Sequence, residues 1–354
     1  MSQTNEQKLW GIVLAAGEGT RVRDFLARLC GGRGIKQFCA VIGHRSMLEH
    51  TLARVERLIP RECILIVVSP DHREEVAQQL AHWPADNVIF QPTNRETAPG
   101  ILLPLAHLSQ RDPFATVAIF PSDHFILEEE RFLACVRHAA AEAQCFLREL
   151  ILLGMTPDGA EEGYGWIEPA AETAERESRA VQRFWEKPDP AKARELLMRG
   201  ALWNTFVCVA QVMTLWGMVR QVVPDLSCAF TTIRRALSSP QATQVTERVY
   251  ETMRTVNFSS EVCEPLAHRL RVLPVPEVGW SDWGSEERIW ASLERLGKLE
   301  ECLVRLQRGG AACALRSNES ALSVPLQPPV PPFLTERGEE AWAKGGPQRG
   351  LAIN

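Results

Sequence analysis

The first 120 residues alternate between short, nearly continuous apolar runs and segments with helical spacing. That alternation constrains the fold more than any other feature of the chain. Leu9 to Ala16 is apolar almost throughout and ends at Gly17. Cys63 to Val68 reads the same way, as does Thr116 to Phe120, stopped by Pro121, and Asn87 to Phe90 is a shorter version. Runs apolar on both faces mark strands buried inside a parallel sheet. Between them lie helical patterns at Met47 to Leu58, Arg73 to Ala81 and Gly100 to Gln110, the last with Leu102, Leu105, Ala106 and Leu108 on its apolar side. This βαβα order predicts an α/β chain: a parallel sheet with helices on both faces. Such sheets bind ligands beyond the carboxyl ends of their strands, so the loops after Ala16, Phe90 and Phe120 are the first places to look.

The middle of the chain differs. Leu150 to Met155, Gly163 to Glu168, Val181 to Glu186 and Trp203 to Ala210 are short β-like runs interrupted by one helix, Pro190 to Arg199. They predict a mixed or antiparallel extension of the same sheet. Helical spacing returns from Trp283 to about Arg308. After Gly309 and Gly310 it fails, and Pro325, Pro328, Pro329, Pro331 and Pro332 crowd one stretch. The expected organisation is one domain over 1–308 and a Pro/Gly-rich tail over 309–354.

Composition removes several classes. With 39 Lys+Arg against 44 Asp+Glu, the net charge of -5 argues against sequence-independent nucleic-acid binding, which needs a basic face. No apolar run approaches the ~20 residues of a spanning helix, and Met1 to Lys8 has no apolar signal core, so the expected setting is cytoplasmic and not a membrane. The ten cysteines form no CxxC pair and are expected to serve as small hydrophobes.

The candidate chemistry sits in loops. Leu14-Ala15-Ala16-Gly17-Glu18-Gly19-Thr20-Arg21 follows the first strand, where small residues admit a ligand and successive N–H groups can cradle phosphate. Arg21 adds a permanent charge. It is not a dinucleotide fingerprint, because Val22 stands three after Gly19, nor a Walker loop, because no Gly-Lys-Ser/Thr follows. A glycine-rich stretch, Cys30 to Gly34, then leads to Lys36, a point charge for phosphate. Gln91 to Gly100, containing Arg95, Glu96, Thr97, Ala98 and Pro99, opens a helix and is crowded with hydrogen-bonding groups; capping by Thr97 with Pro99 in the first turn would account for those two, but not for Gln91, Arg95 and Glu96 together. Asp123 ends a buried strand, and Asp282 sits in a Gly/Trp turn far along the chain; together they can share one metal. Gly163-Tyr164-Gly165, Glu186-Lys187-Pro188 and Trp203-Asn204-Thr205-Phe206 offer polar groups beside aromatics, the usual lining of a sugar pocket. In a regular strand, Glu186 and Lys187 face opposite ways.

In this order the motifs resemble the nucleotide-sugar pyrophosphorylases, and within them the mannose-1-phosphate guanylyltransferases, from about Leu9 to Ile289. The resemblance implies a Rossmann-like mixed, mostly parallel sheet, Mg2+ as cofactor, and transfer of a nucleotidyl group, GMP from GTP, to mannose 1-phosphate with loss of pyrophosphate. It implies that Arg21, Lys36, Asp123, Lys187 and Asp282 are catalytic and that Asp123 and Asp282 hold the metal. Nucleotide binding falls to Ala15, Ala16, Gly17, Gly19, Thr20, Arg21, Lys36, Gln91, Glu96, Thr97, Ala98 and Pro99. Sugar-phosphate binding falls to Gly165, Glu186, Lys187 and Asn204. The chain departs from the family pattern at Ile35, usually Pro, and at Phe206, usually Gly. The acidic group of the base loop stands at Glu96, with Gln91 where the family tends to have Glu. A carboxylate at Glu96 can accept both guanine N1–H and the N2 amino group, whereas adenine N1 would repel it.

Partners are then small molecules, with a homodimer as candidate assembly. Three alternatives stand beside this reading: another NTP and sugar 1-phosphate pair, a non-catalytic relative that binds nucleotide sugars, and a glycosyltransferase. Against the last, Ser122-Asp123-His124 lacks its Asp-x-Asp motif. Removal of the chain after about residue 308 should leave the melting temperature nearly unchanged, because the tail has little apolar periodicity to pack. A large drop in a thermal melt would show that it docks on the core.

Overall fold

The computed structural model describes residues 8–171 and 177–307. The expected tail, 309–354, lies outside the described residues. Nine strands form one sheet: β1 Leu9–Ala15, β2 Ile64–Val68, β3 Val88–Phe90, β4 Thr116–Pro121, β5 Leu150–Met155, β6 Gly165–Pro169, β7 Arg179–Glu186, β8 Leu202–Gln211 and β9 Leu270–Val275, in the order β3-β2-β1-β4-β8-β5-β9-β7-β6. The run β3-β2-β1-β4 is parallel throughout, as its apolar strands require: every residue of β2 is buried. Parallel order returns in the β5–β9 pair, and the remaining pairings are antiparallel. The mostly parallel character expected from the sequence therefore belongs to the N-terminal half, and the mixed extension to the middle.

Eleven α-helices accompany the strands among the described residues. The first five are α1 Arg23–Cys30, α2 Met47–Glu56, α3 Arg73–Gln79, α4 Thr97–Arg111 and α5 Glu129–Ala143. They are followed by α6 Pro190–Met198, α7 Val212–Val222, α8 Pro224–Ala236, α9 Ala242–Thr252, α10 Glu286–Arg295 and α11 Leu299–Gln307. Strand β1 is packed by both α2 and α4; α2 meets α5, while α4 meets α7 and α8. None of the described helices is long and apolar enough to cross a membrane.

Several boundaries differ from the sequence expectation for physical reasons. Pro121 does not stop β4 but is its last residue, paired with Leu14, because a strand end can spare an N–H. The helical pattern from Trp283 onward is two helices, α10 and α11, divided at Gly297, whose φ is +63°. Helix α4 begins at Thr97 rather than Gly100. Helices α5, α7, α8 and α9 and strand β9 go beyond the expectation, although Val212, Leu215, Met218 and Val219 carry the helical spacing that buries one face of α7.

Beside the main core, a second apolar cluster joins the two ends of the described chain. Val22, Phe25, Leu26 and Leu29 of the N-terminal segment pack with Trp283, Ile289, Leu293 and Cys302. Strand β8 is bent where it matters. Its register with β5 runs Leu152 to Cys208 but Gly154 to Asn204, so β8 carries extra residues between the two pairs. Phe206 adopts φ +61°, and Thr205, fully buried, donates its hydroxyl to Leu153 O at 2.8 Å and accepts from Val207 N–H at 3.1 Å. This bulge aims Asn204.

Thr205→Val keeps the shape and removes both hydrogen bonds. It should destabilise the fold by about 1–3 kcal/mol, read as a lower melting temperature. An unchanged melt would show that the bulge holds without it.

Candidate active site

The loop after β1 is shaped from beneath. Gln37, 2% exposed, donates its side-chain amide to Ala15 O and Gly17 O, both at 2.8 Å, and so fixes the turn from inside. Gly19 has φ +57°, and a Cβ there would lie 2.8 Å from Lys36 Cβ, so only glycine lets the Lys36 backbone come this close. Ala15 is buried, Ala16 half-buried, and Gly17 and Thr20 are exposed above this floor.

The two aspartates expected to share a metal are both reached by Lys36. Phe125 and Ser281 form an antiparallel bridge, with N–H to O distances of 2.9 and 3.0 Å in the two directions. A ring stack adds to it: Phe125 lies parallel to Trp283 at 5.1 Å. Lys36, only 5% exposed, donates to Asp123 Oδ2 at 2.7 Å and to the Asp282 carbonyl. Asp282 Oδ1 accepts from Tyr164 OH at 2.6 Å, Arg288 Nη1 at 2.6 Å and Gly284 N–H at 3.0 Å. Arg21 reaches within 4.0 Å of Asp282 Oδ2 while most of its side chain stays in solvent. Arg288 also pairs with Glu161 and lies over the Tyr164 ring at 4.3 Å.

Burial alone would raise both carboxyls. For Asp282 the Tyr164 hydrogen bond, His124, Lys36 and Arg288 outweigh it and hold the group at about 2. For Asp123, burial is outweighed by Lys36 and His124, and the carboxyl again sits below the ordinary value. Burial pushes the His124 imidazole down to about 4, and its Nδ1 lies 3.2 Å from Trp280 Nε1–H.

The expected sugar-phosphate residues also converge. Gly165 pairs with Glu186 across β6 and β7. A Cβ on Gly165 would fall 2.9 Å from Glu186 Oε2 and 3.2 Å from Asn204 Cβ, so the glycine admits both neighbours. Asn204 Oδ1 accepts from Phe206 N–H at 3.1 Å, and its amide nitrogen remains a donor. Burial raises the Glu186 carboxyl, opposed by Lys187 and a hydrogen bond from Ser259. The regular-strand expectation fails here. Lys187 has φ +48°, the strand ends irregularly, and its Nζ lies 3.7 Å from Glu186 Oε1 rather than on the other side. Tyr164, Trp203 and Trp280 form the wall between this group and Asp282, with ring centroids 5.0 to 6.3 Å apart.

The base loop is braced against the segment after α9. Thr97 is not the helix cap: Glu96 holds that position without a side-chain cap bond, and Thr97 Oγ1 accepts from Phe258 N–H at 2.8 Å. Ala98 N–H donates to Val256 O at 3.0 Å, and Pro99 O accepts from Tyr250 OH at 3.2 Å. Gln91 is buried and donates to Thr93 O at 3.0 Å, with its Oε1 3.4 Å from where a Gly100 Cβ would lie. Glu96 is exposed, with φ +71° and ψ -172°, a region costly for any side chain. Arg95 is structural, capping α9 at the carbonyls of Tyr250 and Glu251.

Gln37, Tyr164, Arg288 and Ser259 therefore join a site that sequence reasoning populated without assigning them roles. Glu96, Lys187, Phe206 and Trp283 are the non-glycine residues with positive φ among those described, and all four lie in site motifs.

The chain belongs to the nucleotidyl transferase family, whose model matches residues 10–298. Mannose-1-phosphate guanylyltransferase ManC of Salmonella typhimurium strain LT2 is 30% identical over 298 residues, covering 80% of this chain and 59% of that relative. The xanthan biosynthesis protein XanB of Xanthomonas campestris pv. campestris strain B100 is 29% identical over 286 residues, 80% of this chain and 58% of its own. The chain thus spans less than two thirds of the length of these curated relatives. Among solved structures, one described as mannose-1-phosphate geranyltransferase from Thermus thermophilus superposes with a TM-score of 0.69 at 25% identity, covering 82% of this chain and 79% of that one. One described as mannose-6-phosphate isomerase from Helicobacter pylori, at 20% identity and a TM-score of 0.61, shares the fold over 77% of this chain and 99% of its own.

His124 gives a pH prediction. Its folded value of about 4 lies below the unfolded value of about 6.5, so between them the unfolded chain binds the extra proton. Stability should be full above about pH 6.5 and fall as pH drops towards 4, with less of that fall in His124→Gln. An imidazole resonance titrating near 6.5 in the folded protein would contradict it.

Proposed function

We propose that this chain transfers a nucleotidyl group from a nucleoside triphosphate to a sugar 1-phosphate, releasing pyrophosphate, and that GTP and mannose 1-phosphate are its substrates. The observation that carries the reading is the convergence of Arg21, Lys36, Asp123 and Asp282 at the loop after β1, joined through Tyr164 to Gly165, Glu186, Lys187 and Asn204. The relatives named for mannose-1-phosphate guanylyltransferase support the choice of substrates.

The residues suit in-line displacement at the α-phosphorus. The sugar phosphate is mostly dianionic at neutral pH, its second pKa being about 6, so its oxygen attacks without a general base. As that P–O bond forms, the bond to the pyrophosphate oxygen breaks. The protein's part is to neutralise converging phosphates and to align them. Arg21 and Lys36 serve the triphosphate. Lys187 serves the sugar phosphate, Glu186 and Asn204 accept from and donate to the sugar hydroxyls, and Glu96 reads the guanine edge.

The donor set also fits Mg2+. Asp123 and Asp282 are two ionised carboxylates at the same edge, and Mg2+ typically takes one or two carboxylates and completes its shell with water and phosphate oxygens. Bound there, it would neutralise phosphate charge.

A pyrophosphate-release screen of NTPs against sugar 1-phosphates should give GTP with mannose 1-phosphate the highest kcat/KM. Release with no pair would sink the reading, and a different best pair would replace its substrates. Asp123→Asn and Asp282→Asn should each remove most turnover while the circular dichroism spectrum stays native. Near-normal activity of either at saturating Mg2+ would reject the shared-metal assignment.

A further inference from the structure

One short segment touches both halves of the site. Val256 is fully buried and exchanges backbone hydrogen bonds with the base loop, donating to Arg95 O at 3.1 Å and accepting from Ala98 N–H at 3.0 Å. Asn257 Nδ2 donates to Glu96 Oε2 at 3.3 Å. Phe258 is 2% exposed; its N–H is held by Thr97 Oγ1, and its ring meets Phe206 edge-on at 6.3 Å. Ser259 is 3% exposed and opens the turn that packs against β7, the strand ending at Glu186, and its side-chain hydrogen bond is among the influences that lower that carboxyl. The chain then continues as a π-helical turn, Ser259–Cys263, against which β7 packs. Such turns are rare and gather at functional sites.

The segment is braced rather than loose. Asn257 Oδ1 accepts from Ser260 N–H at 3.1 Å, and Asn257 N–H donates to Glu261 Oε1 at 2.9 Å. Arg254 Nη1 holds the other Glu261 oxygen at 2.5 Å. Asn257 therefore has its amide oxygen committed locally, which aims its nitrogen at Glu96. Lys187, the cation beside Glu186, is exposed and 3.7 Å away, whereas Ser259 is buried.

We propose that the Val256–Ser259 turn carries two positioning residues, Asn257 for Glu96 and Ser259 for Glu186, so that one element sets both base selection and sugar-phosphate recognition. The proposal rests on the functional reading above for the identity of the ligands. Neither residue touches the reacting atoms; each acts through a carboxylate.

The test uses the full chain and reads affinity by calorimetry, with GTP, ATP and mannose 1-phosphate as probes. Ser259→Ala should weaken mannose 1-phosphate about tenfold and leave GTP within roughly twofold. Ser259→Thr, which keeps a hydroxyl, should recover most of the loss. In a Glu186→Gln background, Ser259→Ala should add less than about a twofold further effect. Asn257→Ala should lower the GTP:ATP affinity ratio severalfold and do nothing further in Glu96→Gln. Full additivity in both cycles, or failure of threonine to rescue, would overturn the positioning role. Wild type that binds both ligands but releases no pyrophosphate would fail the activity alone, leaving the cycles readable. Wild type that binds neither would overturn both.

Discussion

Two backbone hydrogen bonds between Phe125 and Ser281 hold the candidate site together. They draw the end of β4 and the turn before α10 to the same place, and with them Asp123 and Asp282. The stack of Phe125 on Trp283 and the apolar cluster of α1, α10 and α11, against which Phe125 packs, support that bridge. Lys36 then ties the two segments again, donating to one aspartate's carboxylate and the other's carbonyl. The phosphate loop follows, because Gly19 rests against Lys36 and Gln37 ties the loop's carbonyls. A parallel sheet supplies the edge, but this small contact decides what the edge presents.

Charge is distributed around it with some economy. Asp282 receives a phenol, a guanidinium and a backbone N–H on a single oxygen, leaving Oδ2 facing Arg21. Tyr164 links this group to the sugar side, since the next residue, Gly165, is the one that lets Glu186 and Asn204 approach. Burial raises both acids, but the outcomes differ: Asp282 stays strongly acidic under its donors, while Glu186, with fewer, is raised.

The sequence made the parallel half of the sheet and the loop positions legible because both follow local rules: runs apolar on both faces, and ligand sites at strand ends. The motif order made the site residues legible as a set. What remained hidden depends on contacts that no spacing encodes. Lys36 and Asp282 are 246 positions apart, and Tyr164 and Asp282 are 118 apart. On α10, Arg288 sits among Glu286, Glu287 and Arg295 with nothing in its pattern to distinguish it. Ser259 is one small polar residue beside another, Ser260. The pairing of Lys187 with Glu186 was misread for a different reason: strand alternation presumes regular φ, and Lys187 has left that region.

Such departures are concentrated at the site. A side chain held at positive φ bears a strain of about 1–3 kcal/mol, and Glu96, Lys187, Phe206 and Trp283 are all held there. Selection for heat resistance would find its easiest gains at these four positions, by glycine or asparagine. Each gain would be taken from the base loop, the sugar-phosphate strand, the bulge behind Asn204 or the turn of Asp282. In this molecule the route to a sturdier fold runs through the residues of the candidate site, so hardening the backbone and keeping the site's geometry are opposed to one another.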